Sequence, residues 1–334
     1  TVYVSAAGSD ESGDGSEGNP YATLATAVKE AKDQARIVVM SDLTMTESVR
    51  FWDKNLTITS GDGGPHTVTR GDFEQGSAHE PARLWYNPAM IEVGSAQDEG
   101  SGSLTITNII FDDADQRKGN YFIQADSGGD GETHFGNEDI RHSDIVQDAI
   151  IATYHGNGKI TLGDGAVLKN YGGMSAVRVS GGTLVMENGS KIIDDSISDR
   201  TKGTTIAGAD KSLYGPAGAI WVQGGTVTVD AGAYIGGSTD KPMIGRGIYL
   251  DGGEVEMNGT IQYVKGDTDC WMGENGIGVH IRNSGTATIG GTVGDLTASS
   301  TTAGRGVYAT AGTLILDETG VVKNCTMMNA VYVS

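Results

Sequence analysis

The chain has 334 residues, of which 52 are glycine and 6 are proline, and its formal net charge is −20 at pH 7. This acidity argues against a nucleic-acid partner, whose phosphates need a basic face, and against binding to an anionic membrane surface. No apolar run approaches the ~20 residues that span a bilayer, so we expect no membrane insertion. The composition favours a soluble extracellular or cell-surface protein built from short strands and tight turns.

Residues 1–42 predict a strand, a helix and a second strand. The segment 1–5 alternates apolar residues and precedes a turn rich in Gly, Asp and Ser. The segment 20–35 has apolar residues at helical spacing, and Pro20 suits the first turn because its missing N–H is not needed there. We expect this helix to cover the open edge and apolar end of the repeating body that follows.

Residues 43–334 form that body, and its later part repeats one phrase: an apolar alternation, a Gly-Gly pair or near equivalent, and a second alternation. Copies stand at 176–186 (AVRVSGGTLVM), 219–229 (AIWVQGGTVTV), 247–257 (GIYLDGGEVEM), 278–289 (GVHIRNSGTATI) and 306–316 (GVYATAGTLIL). From Gly158 to Gly312 the second residue of the pair recurs after 24, 43, 28, 32 and 27 residues. A short minimum with irregular excess is typical of a solenoid that carries inserted loops.

The N-terminal segment resembles the cap of right-handed parallel β-helix proteins of the pectate-lyase-like superfamily. The matching residues are Tyr3, Val4, Ser5, Gly8, Asp10, Gly13, Pro20, Thr23, Leu24, Ala27 and Ala31. The resemblance covers residues 1–40 and implies an all-β fold, a single-stranded right-handed parallel β-helix with an N-terminal capping helix. The repeated phrase also resembles surface and glycosidase β-helices of Gram-positive gut bacteria, including the lacto-N-biosidase β-helix family, which implies a carbohydrate substrate class.

The residues in excess of the repeat fall mostly at one corner, after the third strand of a coil and before the strand that precedes the next glycine pair. The insertions expected there are 61–88, 112–148, 194–217 and 265–277. Coils stack ~4.8 Å apart, so insertions at one corner line one edge of the body. Because function concentrates on loops held by a rigid scaffold, we expect a site along this edge.

The strand after that corner alternates strictly, which places one column of side chains on the outside: Arg178, Trp221, Tyr249, His280, Tyr308 and Tyr332. Stacked coils would make it an exposed ladder whose flat aromatic faces bind sugar rings. The predicted substrate-binding residues are Arg178, Trp221, Tyr249 and His280 of the column with Trp85, Tyr214 and Trp271 of the loops. The alternative is that aromatic residues simply favour strands and stack on their neighbours.

The candidate catalytic residues are loop carboxylates: Asp194, Asp195, Asp199, Asp267, Asp269 and Glu274. A glycoside hydrolase needs two carboxylates ~5–5.5 Å apart for retention or ~6.5–9.5 Å apart for inversion, and acids from different coils at one corner meet either spacing. The plainer interpretation is that these acids are solvated turn residues. A further interpretation is a calcium site, as in some lyases of the superfamily.

The leading hypothesis is an extracellular glycoside hydrolase that acts on a neutral oligosaccharide or host glycan without a cofactor. A lyase with calcium is an alternative, although the net charge of −20 disfavours an acidic polysaccharide. A non-catalytic adhesin whose column binds glycan is the rival of a different class, and a structural spacer is the third interpretation. Because the chain stops inside a copy of the phrase, we expect it to belong to a larger multidomain surface protein.

Overall fold

The computed structural model describes residues 1–71, 89–94, 101–114, 132–135, 138–141, 149–153, 157–171, 175–194, 218–266, 276–297, 304–326 and 330–334. These residues form three parallel sheets, one antiparallel hairpin and one helix. The architecture is all-β, and it is consistent with a parallel β-helix.

Sheet A contains, in spatial order, β1 (Val2–Val4), β2 (Arg36–Val39), β5 (Asn55–Ser60), β8 (Ser103–Thr107), β13 (Lys159–Leu162), β16 (Thr183–Met186), β19 (Thr226–Val229), β23 (Glu254–Met257), β26 (Thr286–Ile289) and β29 (Thr313–Leu316). Sheet B contains β3 (Leu43–Met45), β6 (Thr67–Arg70), β9 (Ile109–Asp112), β14 (Ala166–Lys169), β17 (Lys191–Ile193), β20 (Tyr234–Gly236), β24 (Thr260–Lys265), β27 (Thr292–Thr297) and β30 (Val321–Cys325), with β21 (Met243–Ile244) beside β24. Sheet C contains β4 (Val49–Phe51), β7 (Ile91–Val93), β12 (Ile151–Thr153), β15 (Val177–Val179), β18 (Ile220–Val222), β22 (Arg246–Leu250), β25 (Ile277–Ile281), β28 (Arg305–Ala309) and β31 (Val331–Val333).

From β4 onward the chain visits sheets C, A and B in turn, and we call one such passage a coil. Each strand pairs in parallel with its counterparts in the coils before and after. The longest connections all run from sheet B to sheet C, namely β6 to β7, β9 to β12, β17 to β18 and β24 to β25. They therefore leave and rejoin the coils at one corner, which we call the B–C corner.

One predicted insertion needs correction, and another contains regular structure. The expected insertion 61–88 contains β6, a strand of sheet B, because the buried Val68 and Arg70 alternate with partly exposed threonines as in a strand. The expected insertion 112–148 contains the antiparallel hairpin of β10 (Glu132–Phe135) and β11 (Glu138–Arg141).

The helix α1 spans Leu24–Glu30 and is shorter than the predicted segment 20–35. It begins where the Thr23 hydroxyl accepts the N–H of Thr26, and it ends where Ala31 turns to extended backbone. Pro20 consequently lies before the helix and outside its first turn. Leu24, Ala27 and Val28 are buried, and α1 packs against β1 and β3. Among the described residues, no helix is long and apolar enough to cross a membrane.

The core lies between the three sheets. Each coil contributes inward side chains from all of them, for example Ile220 from sheet C, Val227 from sheet A and Ile235 from sheet B, which are at most 1 % exposed. Burial of each such side chain contributes about 1.5–3 kcal/mol before entropy is counted. The repeated coil therefore makes one continuous apolar core.

The glycine pair forms the turn between sheets C and A. Gly225 and Gly253 have φ of +79° and +81°, a region that glycine alone adopts without strain. A Cβ on Gly225 would lie 2.3 Å from the Gly182 carbonyl oxygen of the preceding coil, and one on Gly253 would lie 2.4 Å from the Gly225 oxygen. The close stacking of coils at this turn therefore requires glycine at the second position.

Candidate functional site

Sheet C carries one column of side chains on its outer face, in register along nine strands. The members, in spatial order, are Arg50, Glu92, Ala152, Arg178, Trp221, Tyr249, His280, Tyr308 and Tyr332. We call this set the sheet C column. It begins next to α1 and passes along the B–C corner, where the longest connections rejoin the coils.

The column is not the exposed ladder that alternation led us to expect. Tyr249, His280 and Tyr308 are 0 %, 2 % and 8 % exposed, so their rings present no open flat face on which a sugar ring could stack. Neighbouring rings pack on each other instead, with centroids 5.2 Å apart for Tyr249–His280 and 5.0 Å for His280–Tyr308. Trp221 and Tyr332 are half-buried. Alternation determines the side to which a residue points but carries no information on what covers that side.

Two arginines at equivalent positions of sheet C, Arg246 and Arg305, pack along these rings. The Arg246 guanidinium carbon lies 5.2 Å from the Tyr249 ring centroid, and that of Arg305 lies 4.5 Å from the Tyr308 centroid. Arg246 Nε donates a hydrogen bond of 3.0 Å to His280 Nδ1. This half of the column is thus a packed cationic and aromatic stack.

Burial lowers the pKa of His280 to about 3, and the charges of Arg246, Arg282 and Arg305 lower it in the same direction. The imidazole is therefore neutral at neutral pH, with Nδ1 as acceptor and its proton on Nε2. Burial raises the pKa of the Tyr249 hydroxyl, which accepts a hydrogen bond of 3.0 Å from Arg282 Nη1. The His280 imidazole and the Tyr249 hydroxyl therefore keep one protonation state near pH 7, which makes them unsuited to proton transfer there.

The other end of the column contains a partly buried ion pair. Glu92 is 1 % exposed, and its Oε2 accepts a 2.6 Å hydrogen bond from Arg50 Nε, whose side chain is 25 % exposed. A second pair, Arg70 with Asp113, is fully buried at the B–C corner, where Arg70 Nη2 also donates to the Ala149 carbonyl at 3.0 Å. Both carboxylates are compensated by guanidinium groups, which accounts for their burial.

Arg178 differs from these paired charges. It is 8 % exposed, its Nε is buried without a hydrogen-bond partner, and no described carboxylate forms an ion pair with it. Trp221, its register partner one coil on, has a buried Nε1 that likewise lacks an acceptor within the described structure. On its other side Arg178 pairs in register with the small Ala152. Arg178 Nε and Trp221 Nε1 are thus donors on adjacent members of the column, and no described acceptor bonds to either of them.

Among the predicted carboxylates, the structure describes Asp194. It is 2 % exposed and follows directly on β17, where the connection to β18 and Trp221 begins. The other predicted carboxylates and loop aromatics lie outside the described residues: Asp195, Asp199, Asp267, Asp269, Glu274, Trp85, Tyr214 and Trp271. In the described part of the chain, no group of three His, Cys, Asp or Glu residues is placed to hold a metal ion. The paired-carboxylate hypothesis stays a prediction.

Sequence reasoning missed several residues of this face. The pairs Arg50–Glu92 and Arg70–Asp113 join residues 42 and 43 positions apart, a separation at which local patterns carry no signal. Arg246 and Arg305 had a signal, because each opens a copy of the same phrase, RGIYL and RGVYA. The recurrence of arginine at that point predicts a shared register, which their common pairing with Ile277 demonstrates.

No family model, no curated protein and no solved structure matches this chain. We therefore infer the function from the geometry of the described residues. The resemblance to the pectate-lyase-like superfamily stays a prediction.

Proposed function

We propose that the protein is an extracellular glycan-binding β-helix, right-handed and single-stranded, with α1 as the cap of its N-terminal end. Its binding site lies on the sheet C column at Arg178 and Trp221, beside the B–C corner. One observation carries this proposal: within the described structure, a buried guanidinium without a counterion adjoins a half-buried indole whose N–H also lacks an acceptor.

An unpaired buried cation is unfavourable by several kcal/mol, and proteins place one where a ligand compensates it. The planar guanidinium of arginine offers donors spaced for a carboxylate or sulfate group. Trp221 adds an N–H and a flat ring on which the apolar face of a pyranose stacks. A sugar that carries one acidic group satisfies both residues.

The net charge of −20 favours a neutral ligand, whereas Arg178 favours an acidic one. Surface carboxylates more than a Debye length of about 8 Å from the ligand are largely screened at physiological ionic strength, whereas the buried Arg178 is screened much less. The charge of Arg178 therefore outweighs the net charge of the protein in selecting the ligand. The guanidinium is the charge that a bound group meets at short range. We therefore propose a glycan with isolated acidic residues in place of the neutral oligosaccharide.

Hydrolysis is the second candidate function, and the position of Asp194 favours it. This buried carboxylate ends β17, directly before the connection that leads to β18 and Trp221. A partner carboxylate ~5–5.5 Å or ~6.5–9.5 Å away would complete a retaining or inverting pair. The candidates for that partner are the predicted loop acids, among them Asp267 and Glu274.

A glycan array probed with the wild-type protein, Arg178→Met and Arg178→Lys tests the proposal. We expect the wild type to retain sialylated or sulfated glycans, Arg178→Met to lose them, and Arg178→Lys to be weaker because the planar fork is gone. Binding of acidic glycans by Arg178→Met at the wild-type level would overturn the site. Wild-type binding to no glycan at all would overturn the function.

A further inference from the structure

A second candidate site lies at the N-terminal end of the same face. An open cleft of about 470 Å³ lies between α1 and β4. Trp52, the residue after β4, lines this cleft and is 38 % exposed. Among the described residues, the other exposed large apolar side chains lie at the C-terminal end of the coil stack: Ile315, Leu316, Val321, Val331 and Val333. These residues are exposed because the stack ends there. That reason does not apply to Trp52, which lies near the opposite end.

The walls of the cleft are held rigidly. Lys54 Nζ donates to the carbonyl oxygens of Val28, Lys29 and Ala31 at 3.0, 3.1 and 3.0 Å, which ties the end of α1 to the turn after β4. Asp33, just beyond α1, accepts from the backbone and side-chain nitrogens of Asn55 at 2.8 and 2.9 Å. Helix and strand thus form one preorganised wall and floor.

Trp52 itself is positioned by a glycine of the next coil. A Cβ on Gly102 would lie 2.9 Å from Trp52 Cα and 3.1 Å from its carbonyl carbon, so the backbones pack more closely than any other residue allows. The backbone of Trp52 is consequently fixed, while more than a third of the residue is exposed beside the cleft that it lines. A rigid, partly exposed ring in a concave site is a typical sugar-stacking platform.

The charges of the cleft determine the class of ligand. Three basic side chains (Lys29, Arg50 and Lys54) and two acidic ones (Glu47 and Asp53) line it. Glu92 neutralises Arg50, so the remaining charges balance. Lys29 offers donors and Glu47 and Asp53 offer acceptors, the mixture that sugar hydroxyls need. This balance contrasts with Arg178, which has no counterion among the residues that the structure describes.

We infer that this cleft binds an uncharged sugar ring, which stacks on Trp52 and hydrogen-bonds to the charged side chains around it. The inference depends on the proposed function only for the choice of a sugar as ligand, since the cleft and the site at Arg178 share no described side chain. The register places Arg178 three coils beyond Arg50, or about 14 Å along the axis at ~4.8 Å per coil. A glycan with acidic and neutral units would therefore meet two subsites on one face.

Fluorine NMR of fluorotryptophan-labelled protein tests the inference, because the chain has only 4 tryptophans and each resonance is assigned by a Trp→Phe variant. The probes are neutral oligosaccharides (lactose, cellotetraose and maltotetraose) and acidic sialyllactose. We expect at least one neutral probe to shift the Trp52 resonance saturably. Trp52→Ala should weaken its binding by about tenfold or more, and Trp52→Phe by less.

A Trp52 resonance that no neutral probe moves would overturn the inference, as would unchanged affinity in Trp52→Ala. If sialyllactose still binds through Arg178 in that case, the cleft fails and the proposed function stands. If the Trp52 resonance moves while Arg178→Met binds acidic glycans normally, the site at Arg178 fails and the cleft stands. Gly102→Ala provides a positional control, since it displaces Trp52 without removing the ring and should also weaken the neutral probe.

Discussion

Arg246 donates to His280 Nδ1 over 3.0 Å from the preceding coil, and both side chains are buried, at 0 % and 2 % exposed. This hydrogen bond forms only while the imidazole is neutral. A protonated ring would carry a hydrogen on Nδ1 and could not accept the Arg246 N–H. The aromatic half of the sheet C column is thus a packing device with a fixed protonation state. Arg178 and Trp221 precede this stack in the column, and Arg178 Nε and Trp221 Nε1 have no hydrogen-bond partner among the described residues.

This arrangement makes stability depend on pH. Because the pKa of His280 is lowered to about 3 in the folded chain, the unfolded chain binds more protons between pH 3 and its ordinary value of 6.5. Stability should therefore fall as pH drops through that window, by on the order of a few kcal/mol from this residue. Urea unfolding at pH 7 and pH 4 measures the fall. His280→Gln should flatten it, whereas Tyr308→Phe, a ring change without titration in the window, should not.

Removing Arg70 and removing Arg178, which are both buried, should have opposite effects on stability. Arg70→Met strands the buried carboxylate of Asp113 and should cost about 3–5 kcal/mol. Arg178→Met removes a charge without a described partner and should leave the free energy of unfolding unchanged or raise it by about 1–3 kcal/mol. Urea titrations of the two variants without ligand check this. A large loss in Arg178→Met would show that the guanidinium is paired within the protein.

The glycine pair offers a matched comparison within one turn. Gly225→Ala places a methyl group 2.3 Å from the Gly182 carbonyl oxygen at φ +79°, and should cost about 1–3 kcal/mol. Gly224→Ala meets its nearest atom, the Ser180 carbonyl oxygen, at 3.3 Å and should cost less. Thermal unfolding of both variants measures the two losses of stability. Equal losses would contradict the assignment of the close approach to the second glycine.

The second candidate function predicts a separation of binding from turnover. If Asp194 is a catalytic carboxylate, Asp194→Asn should lose turnover by a factor of about 10² or more while it retains glycan affinity. Asp317→Asn, an exposed acid in the last coil, is the control and should behave as wild type. The assay follows release of reducing ends from every glycan that the array retains. Turnover that survives in Asp194→Asn would remove this residue from the mechanism.

The repeat predicts much of the scaffold and less of the site. Residues such as Ile220 and Val227 lie in the core because strict alternation and a tight glycine turn leave one register that buries them. Alternation also places Arg178, Trp221 and Tyr249 in one column. It does not predict their burial, because alternation carries no information on what packs over that side of the sheet. Trp52 escaped notice for a related reason: the cleft beside it exists only once α1 has folded back onto the first coil.

A crystal structure of the protein soaked with sialyllactose shows whether Arg178 and Trp221 form the glycan site. We expect the sugar carboxylate within hydrogen-bond distance, about 2.7–2.9 Å, of the Arg178 guanidinium, with a ring against Trp221. Sialyllactose bound elsewhere, or a protein carboxylate already paired with Arg178, would contradict it.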